Sequence, residues 1–228
     1  MTVALWLGSA APARTIRWLD GAIATAATFA QAEGHKAPVA IAAGEPTWLD
    51  LAADRANRAG LASTGVSTDL QLDYLGWAQV VAAVVRQIRA TTVLVDEASR
   101  PERFPEVAAI AELLDAAQLT HVVSLAPDGA IIHASRATGT SLQTIRIRGS
   151  AVIGLRVAGA PIDEYPTPMP SASMKRLDLK ALGLDPGVLA HRSLPPRAGQ
   201  QPRLTLERVA EHLAVHVVPR SPSRSRGG

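Results

Sequence analysis

The sequence predicts an α/β fold, a parallel sheet with helices on both faces that carries a β-rich edge addition and an extended C-terminal arm. Three observations predict it. Short apolar runs alternate with amphipathic stretches of helical length as far as residue 118. One run, "TTVLVD" (91–96), is β-branched and unalternating, as a parallel strand buried on both faces should be. After residue 118 the helical stretches stop and four short β segments follow one another.

Each element has its own signal. "VALWL" (3–7) is an apolar run ended by Gly8, a buried strand. From Thr15 to Glu33 the chain is Ala-rich, with Ile16, Leu19, Ile23 and Ala27 at helical spacing, and Gly34 closes the helix. "APVAIAAG" (37–44) is the second strand. "PTWLDLAADRANRAG" (46–60) is a helix with Pro46 in its first turn and Gly60 at its end. "LASTGVS" (61–67) supplies a short third strand. "DYLGWAQVVAAVVRQIRA" (73–90) is a helix with Asp73 as N-cap. "FPEVAAIAELLDAAQ" (104–118) is the fourth helix. "LTHVVSLA" (119–126), "GAIIHASRA" (129–137), "LQTIRIRG" (142–149) and "AVIGLRV" (151–157) form the β-rich addition, expected to be antiparallel and at one edge. "PDG" (127–129) is a turn between the first two. Pro-rich stretches follow, with short helices expected around 173–182 and 204–215. The expected organisation is an α/β domain over 1–159, a docking loop and arm over 160–217, and a disordered tail over 218–228.

Composition narrows the classes. The 228 residues are 47% hydrophobic but only 4% aromatic, so the core is built from Ala, Val, Leu and Ile. With no cysteine there is no disulfide, thiol catalysis or cysteine-ligated cluster, which fits a reducing cytosol. Arg14, Arg17 and Asp20 interrupt the apolar N-terminus, and no stretch reaches the roughly 18 apolar residues of a membrane helix. The net charge is +3, and the one basic concentration, "RSPSRSRGG", lacks the aromatics that stack on bases, so neither nucleic acid nor membrane insertion is expected.

In an open α/β sheet, ligands sit in loops at the carboxyl ends of strands. The loop after "TTVLVD" has no glycine and carries Arg100, Pro101, Glu102, Arg103 and Pro105. Its arginines can hold phosphate as charges, but its prolines remove two backbone donors. His212 and His216 have the spacing of a metal pair on a helix, yet Leu213 stands where a zinc protease has Glu. Ser9 has no nucleophile-elbow frame around it. His121 and His133 fall in strands and are read as packed or locally bonded, and Trp6, Trp18, Trp48 and Trp77 as core. Asp20 suits either a ligand hydroxyl or a helix cap. Met169, flanked by Pro168 and Pro170, suits an apolar anchor presented by a stiff loop, or a linker.

From about Tyr74 to Val217 the order of motifs resembles the beta subunit of electron-transfer flavoprotein. The motifs are "VLV", "AELL" (111–114), "THVVSL", "RATGTSLQ" (136–143), "AVIGL" (151–155), "EYPTPMPSASMKRLDLKALGL" and "PPRAGQQPRLTLERVAEHL". The first half departs from the family. The hairpin after the first strand is missing, and of the "NPxD" helix start only Asp20 remains. In the family the loop after the fourth strand reads like "GRQAxDGDTAQVG" and wraps AMP or a second FAD. Here its Gly, Asp, Thr and Gln are replaced by Pro101, Glu102, Arg103 and Pro105.

The resemblance implies a Rossmann-like fold of the adenine nucleotide alpha hydrolase-like kind. It also implies an electron carrier, not an enzyme, that pairs as a heterodimer with an alpha subunit holding most of the FAD and docks a flavin-linked dehydrogenase. Its candidate cofactor contacts are Gly8, Ser9, Asp20, Asp96, Arg100, Glu102 and Arg103, with AMP in doubt. Its candidate docking residues are Tyr165, Met169, Met174 and Lys175. The alternative reading is a stand-alone adenine-nucleotide-binding module, or an interaction scaffold that has lost its ligand.

Overall fold

The structure, a computed structural model, describes residues 2–9, 16–31, 38–70, 72–97, 104–157 and 173–192. Alternation of strand and helix follows from the apolar runs: β1 (Val3–Gly8), α1 (Ile16–Gln31), β2 (Val39–Gly44), α2 (Pro46–Arg58), β3 (Ala62–Ser67), α3 (Tyr74–Ile88), β4 (Thr92–Asp96) and α4 (Phe104–Leu114). Then come β5 (Ala117–Asp128), β6 (Ile131–Thr138), β7 (Ser141–Arg148), β8 (Ala151–Leu155), β9 (Lys175–Leu177) and α5 (Pro186–Arg192). They form one 9-stranded sheet in the order β7-β6-β5-β8-β4-β1-β2-β3-β9. Only the β5–β6 and β6–β7 pairings are antiparallel.

Side chains of a strand point alternately to its two faces, and β1 shows both faces dry. Val3, Leu5 and Leu7 pack with Leu19, Ile23 and Phe29 of α1 and Trp48 and Leu49 of α2. Ala4 and Trp6 pack with Trp77, Val81 and Val84 of α3 and Ile110 of α4. The helix ends follow local chemistry. Asp73 caps α3 by accepting a hydrogen bond from the Gly76 N–H at 2.8 Å. Gly60, at φ +74, turns the chain out of α2.

Two expectations need correction. "AVIGL" is not part of the antiparallel addition: β8 lies between β5 and β4 and runs parallel to both. All five of its residues are buried, so it has the same doubly covered character as β4. The expected helix around 173–182 is not formed: residues 175–177 are β9, which pairs parallel with β3, and a turn covers 179–183. The helix expected around 204–215 lies outside the described residues.

Two contacts explain β9. Gly65 of β3 leaves a notch that the Met174 side chain fills, since a Cβ on Gly65 would lie 2.4 Å from Met174 Sδ. Arg176 forms an ion pair with Asp50 of α2. Further along, Leu179 and Leu189 are buried against the α3/α4 side of the sheet. The stretch from Met174 to Leu189 therefore returns to the domain. Among the described residues, no helix is long and apolar enough to cross a membrane.

An ion pair joins α1 to α2. Both carboxylate oxygens of Asp20 accept from Arg55 Nη1, at 3.0 and 2.8 Å, and the Asp20 side chain is 1% exposed. A carboxylate so buried depends on its cation, because removing one partner leaves an uncompensated charge. Arg55→Ala should therefore destabilise the protein by about 3 kcal/mol in urea unfolding. Asp20→Ala should destabilise less, because Arg55 can turn to water. The reverse ranking would show that Asp20 is not held by this pair. Gly65→Ala should displace Met174 at a cost of about 1 kcal/mol. Hydrogen exchange should then rise over 175–177 and stay unchanged in β1 and β2; unchanged exchange in β9 would disprove the latch.

Candidate functional site

The order of strands reverses direction between β1 and β4: β2 and β3 continue on one side, β8 and β5 on the other. In open α/β sheets the crevice outside the carboxyl ends at such a point is where ligands bind. Register Trp6↔Val95 brings the ends of β1 and β4 to one rim. Of the residues expected to contact a cofactor, Gly8, Ser9 and Asp96 share that rim. Asp20 is a full turn inside α1 and engaged by Arg55. Arg100, Glu102 and Arg103 lie outside the described residues, as do Tyr165 and Met169 of the docking set. Met174 and Lys175 stand at the far edge, where Met174 is partly buried and Lys175 is exposed.

The rim is tightly built. Gly8 (φ +107) lets β1 turn outward, and its carbonyl accepts from Trp48 Nε1 at 3.0 Å. Gly44 (φ +120) ends β2, and a Cβ there would meet the Ser9 carbonyl oxygen at 2.4 Å. The close approach that this glycine allows is thus used by the protein's own backbone. Asp96 ends β4 and Glu97 follows it, 4% and 2% exposed. Trp6 Nε1 donates to Glu106 Oε1 of α4 at 3.1 Å, and Trp6 and Trp77 lie with ring centroids 6.4 Å apart.

Glu97, His121 and Gly154 form a group that the sequence alone does not assemble. Glu97 Oε2 accepts the His121 backbone N–H at 2.8 Å, and its Oε1 lies 3.8 Å from His121 Nε2. Gly154 of β8 makes room for this carboxylate, since a Cβ there would lie 2.5 Å from Glu97 Oε2. The available signal was the lone glycine inside "AVIGL", which marks a close approach in a strand. His121 was read as locally bonded, and its Nδ1 is 3.3 Å from Thr120 Oγ1. His133 Nε2 lies 3.3 Å from Asp128.

A phosphate site needs converging N–H groups or cations. The described rim offers buried carboxylates of Asp96 and Glu97, and its glycine notches at Gly44 and Gly154 are filled by Ser9 and Glu97. This part of the rim does not fit a phosphate or a flavin pyrophosphate. Among the described residues, no group of three or more His, Cys, Asp or Glu side chains is placed to hold a metal ion.

No curated protein matches the chain. The family model of the electron transfer flavoprotein domain matches residues 17–178, from the first turn of α1 to just past β9. With its doubly covered, mostly parallel sheet and this match over most of its length, the chain belongs to the electron transfer flavoprotein domain family, whose members are electron carriers.

Proposed function

We propose that this chain is a divergent beta-type subunit of an electron-transfer flavoprotein. It pairs with an alpha-type subunit that holds the FAD, and it docks a flavin-linked dehydrogenase through the loop from Tyr165 to Met174. The observation that carries this reading is the order of beta-type motifs from "VLV" to the Pro-rich stretch, and the family match, which runs unbroken through β8 into β9, supports it. The docking motif "EYPTPMPSASMK" is thereby bracketed by two strands of one sheet, β8 near its middle and β9 at its edge. The Met174 latch and the Arg176–Asp50 pair fix the second end of that segment. The poor fit of the described rim to phosphate supports a flavin carried by the partner. The chain contributes a covering surface and a docking segment, and no acid–base catalyst of its own.

Co-expression with the alpha-type subunit expected to be encoded beside it tests the pairing. The result expected is a one-to-one complex with a flavin spectrum; a monomer that binds no flavin partner would sink the proposal. AMP released on denaturing that complex should be well below one per complex, because Pro101 and Pro105 remove donors from the loop and the rim is acidic. Stoichiometric AMP would overturn that expectation.

Met169 is the proposed anchor for the dehydrogenase. A buried interface anchor is worth about 2 kcal/mol on truncation, more than a factor of ten. Met169→Ala should slow electron delivery from the dehydrogenase at least about tenfold at limiting concentration. Flavin content should stay the same. Unchanged transfer kinetics would make the loop a linker.

A further inference from the structure

β5 is the one strand that belongs to both parts of the sheet. Its first residues pair in parallel with β8, and its later ones pair antiparallel with β6. Between Leu119 and Val122 it advances three residues while β8 advances two, from Ile153 to Leu155. The extra residue is a bulge, and inside it His121 has φ +59. A left-handed conformation is disfavoured for a residue with a Cβ, so something must hold it. The ladder cannot, because a bulged residue is left out of it.

The Glu97 carboxylate meets the bulge. It is 2% exposed, takes the His121 N–H at 2.8 Å, and sits in the notch left by Gly154. The Glu97 N–H donates to the Leu155 carbonyl at 3.1 Å, and the Arg156 N–H donates to the Val122 carbonyl at 2.7 Å. The ends of β4, β8 and the bulged part of β5 are thus joined side by side. Oε1 of Glu97 has no hydrogen-bond partner among the described residues, so the carboxylate's hydrogen bonding there is spent on the bulge.

We propose that Glu97 is a latch that holds the β5 bulge, and through it couples the ligand-side rim at the end of β4 to the antiparallel extension β5–β7. A bulge sets the bend of its strand and the face on which every later side chain lies. With the carboxylate in place, Ile132, Ala134, Ile145 and Ile147 face the core. When the carboxylate is withdrawn, His121 loses the contact that offsets its left-handed backbone, and the extension loosens while the rest of the sheet stays. A change at the end of β4 that draws Glu97 away is thereby transmitted to β6 and β7.

Residue-resolved hydrogen exchange on the full chain tests this without any partner or flavin. Glu97→Ala should speed exchange at His121, Ile132 and Ile145 at least tenfold and leave Leu5 and Ile41 within about twofold. Glu97→Gln, which keeps an acceptor oxygen, should stay near the wild type. The decisive variant is Glu97→Ala combined with His121→Gly: glycine accepts the left-handed backbone, so protection of the extension should return to within about threefold. Unchanged exchange in the extension of Glu97→Ala would overturn the latch. So would uniform acceleration across all strands, which is the signature of packing alone. If Glu97→Ala does not fold, the double variant and Glu97→Gln decide, and a double variant that does not recover also overturns it.

Discussion

Everything in this sheet hangs on β8. It is inserted between β4 and β5, and it is the strand through which the parallel αβ half meets the antiparallel extension. Its five residues are buried on both faces, which requires the "AVIGL" run to be apolar throughout. Its second-to-last residue must also be glycine, because the Glu97 carboxylate occupies the space of the missing side chain. A strand added between two others after the extension has been laid down needs a crossover of the chain, and its pairings are long in sequence. Leu119 pairs with Ile153 across the whole β6–β7 segment, so the central strand order rests on contacts distant in sequence.

This explains how much of the fold was legible. The strands and helices through α4 carry period and punctuation strong enough to read directly: "TTVLVD" for β4, Asp73 for the α3 cap, Gly60 for the end of α2. The place of β8 was not legible from its neighbours, which are all strands. Its apolar, unalternating composition differs from "LQTIRIRG", where Ile145 and Ile147 alternate with exposed arginines. That contrast separates a doubly buried strand from an edge strand. β9 was illegible for a different reason. "KRL" has no strand propensity of note, and its position is set by tertiary partners, the Gly65 notch and Asp50, which local pattern does not contain.

The candidate site divides in the same way. Gly8, Ser9 and Asp96 share one rim because position at a strand's carboxyl end is a topological property that the strand pattern already contains. Glu97 and His121 were not assembled, because they are 24 residues apart in sequence and meet only through a bulge. Asp20 has a partner that local pattern does not contain. Its sequence position suits a ligand hydroxyl or a helix cap, and the folded chain places Arg55 of α2 within 2.8 Å of it.

The described carboxylates point to one physical conclusion. Asp20 holds α1 to α2, Glu106 accepts the Trp6 indole N–H, and Glu97 accepts a backbone N–H from the bulge. Each is at most 2% exposed. Burying a charge is costly unless it is paired or hydrogen-bonded, and each of these groups makes at least one such contact within the fold. The described rim presents the buried carboxylates of Asp96 and Glu97 and has few donors to offer a phosphate. Recognition in such a protein falls to its surfaces and connecting segments. This suits a subunit that covers and docks better than one that grips a nucleotide in its own sheet. On the proposed reading, the buried carboxylates hold the shape of the face that covers the partner, and partner choice falls to residues outside them.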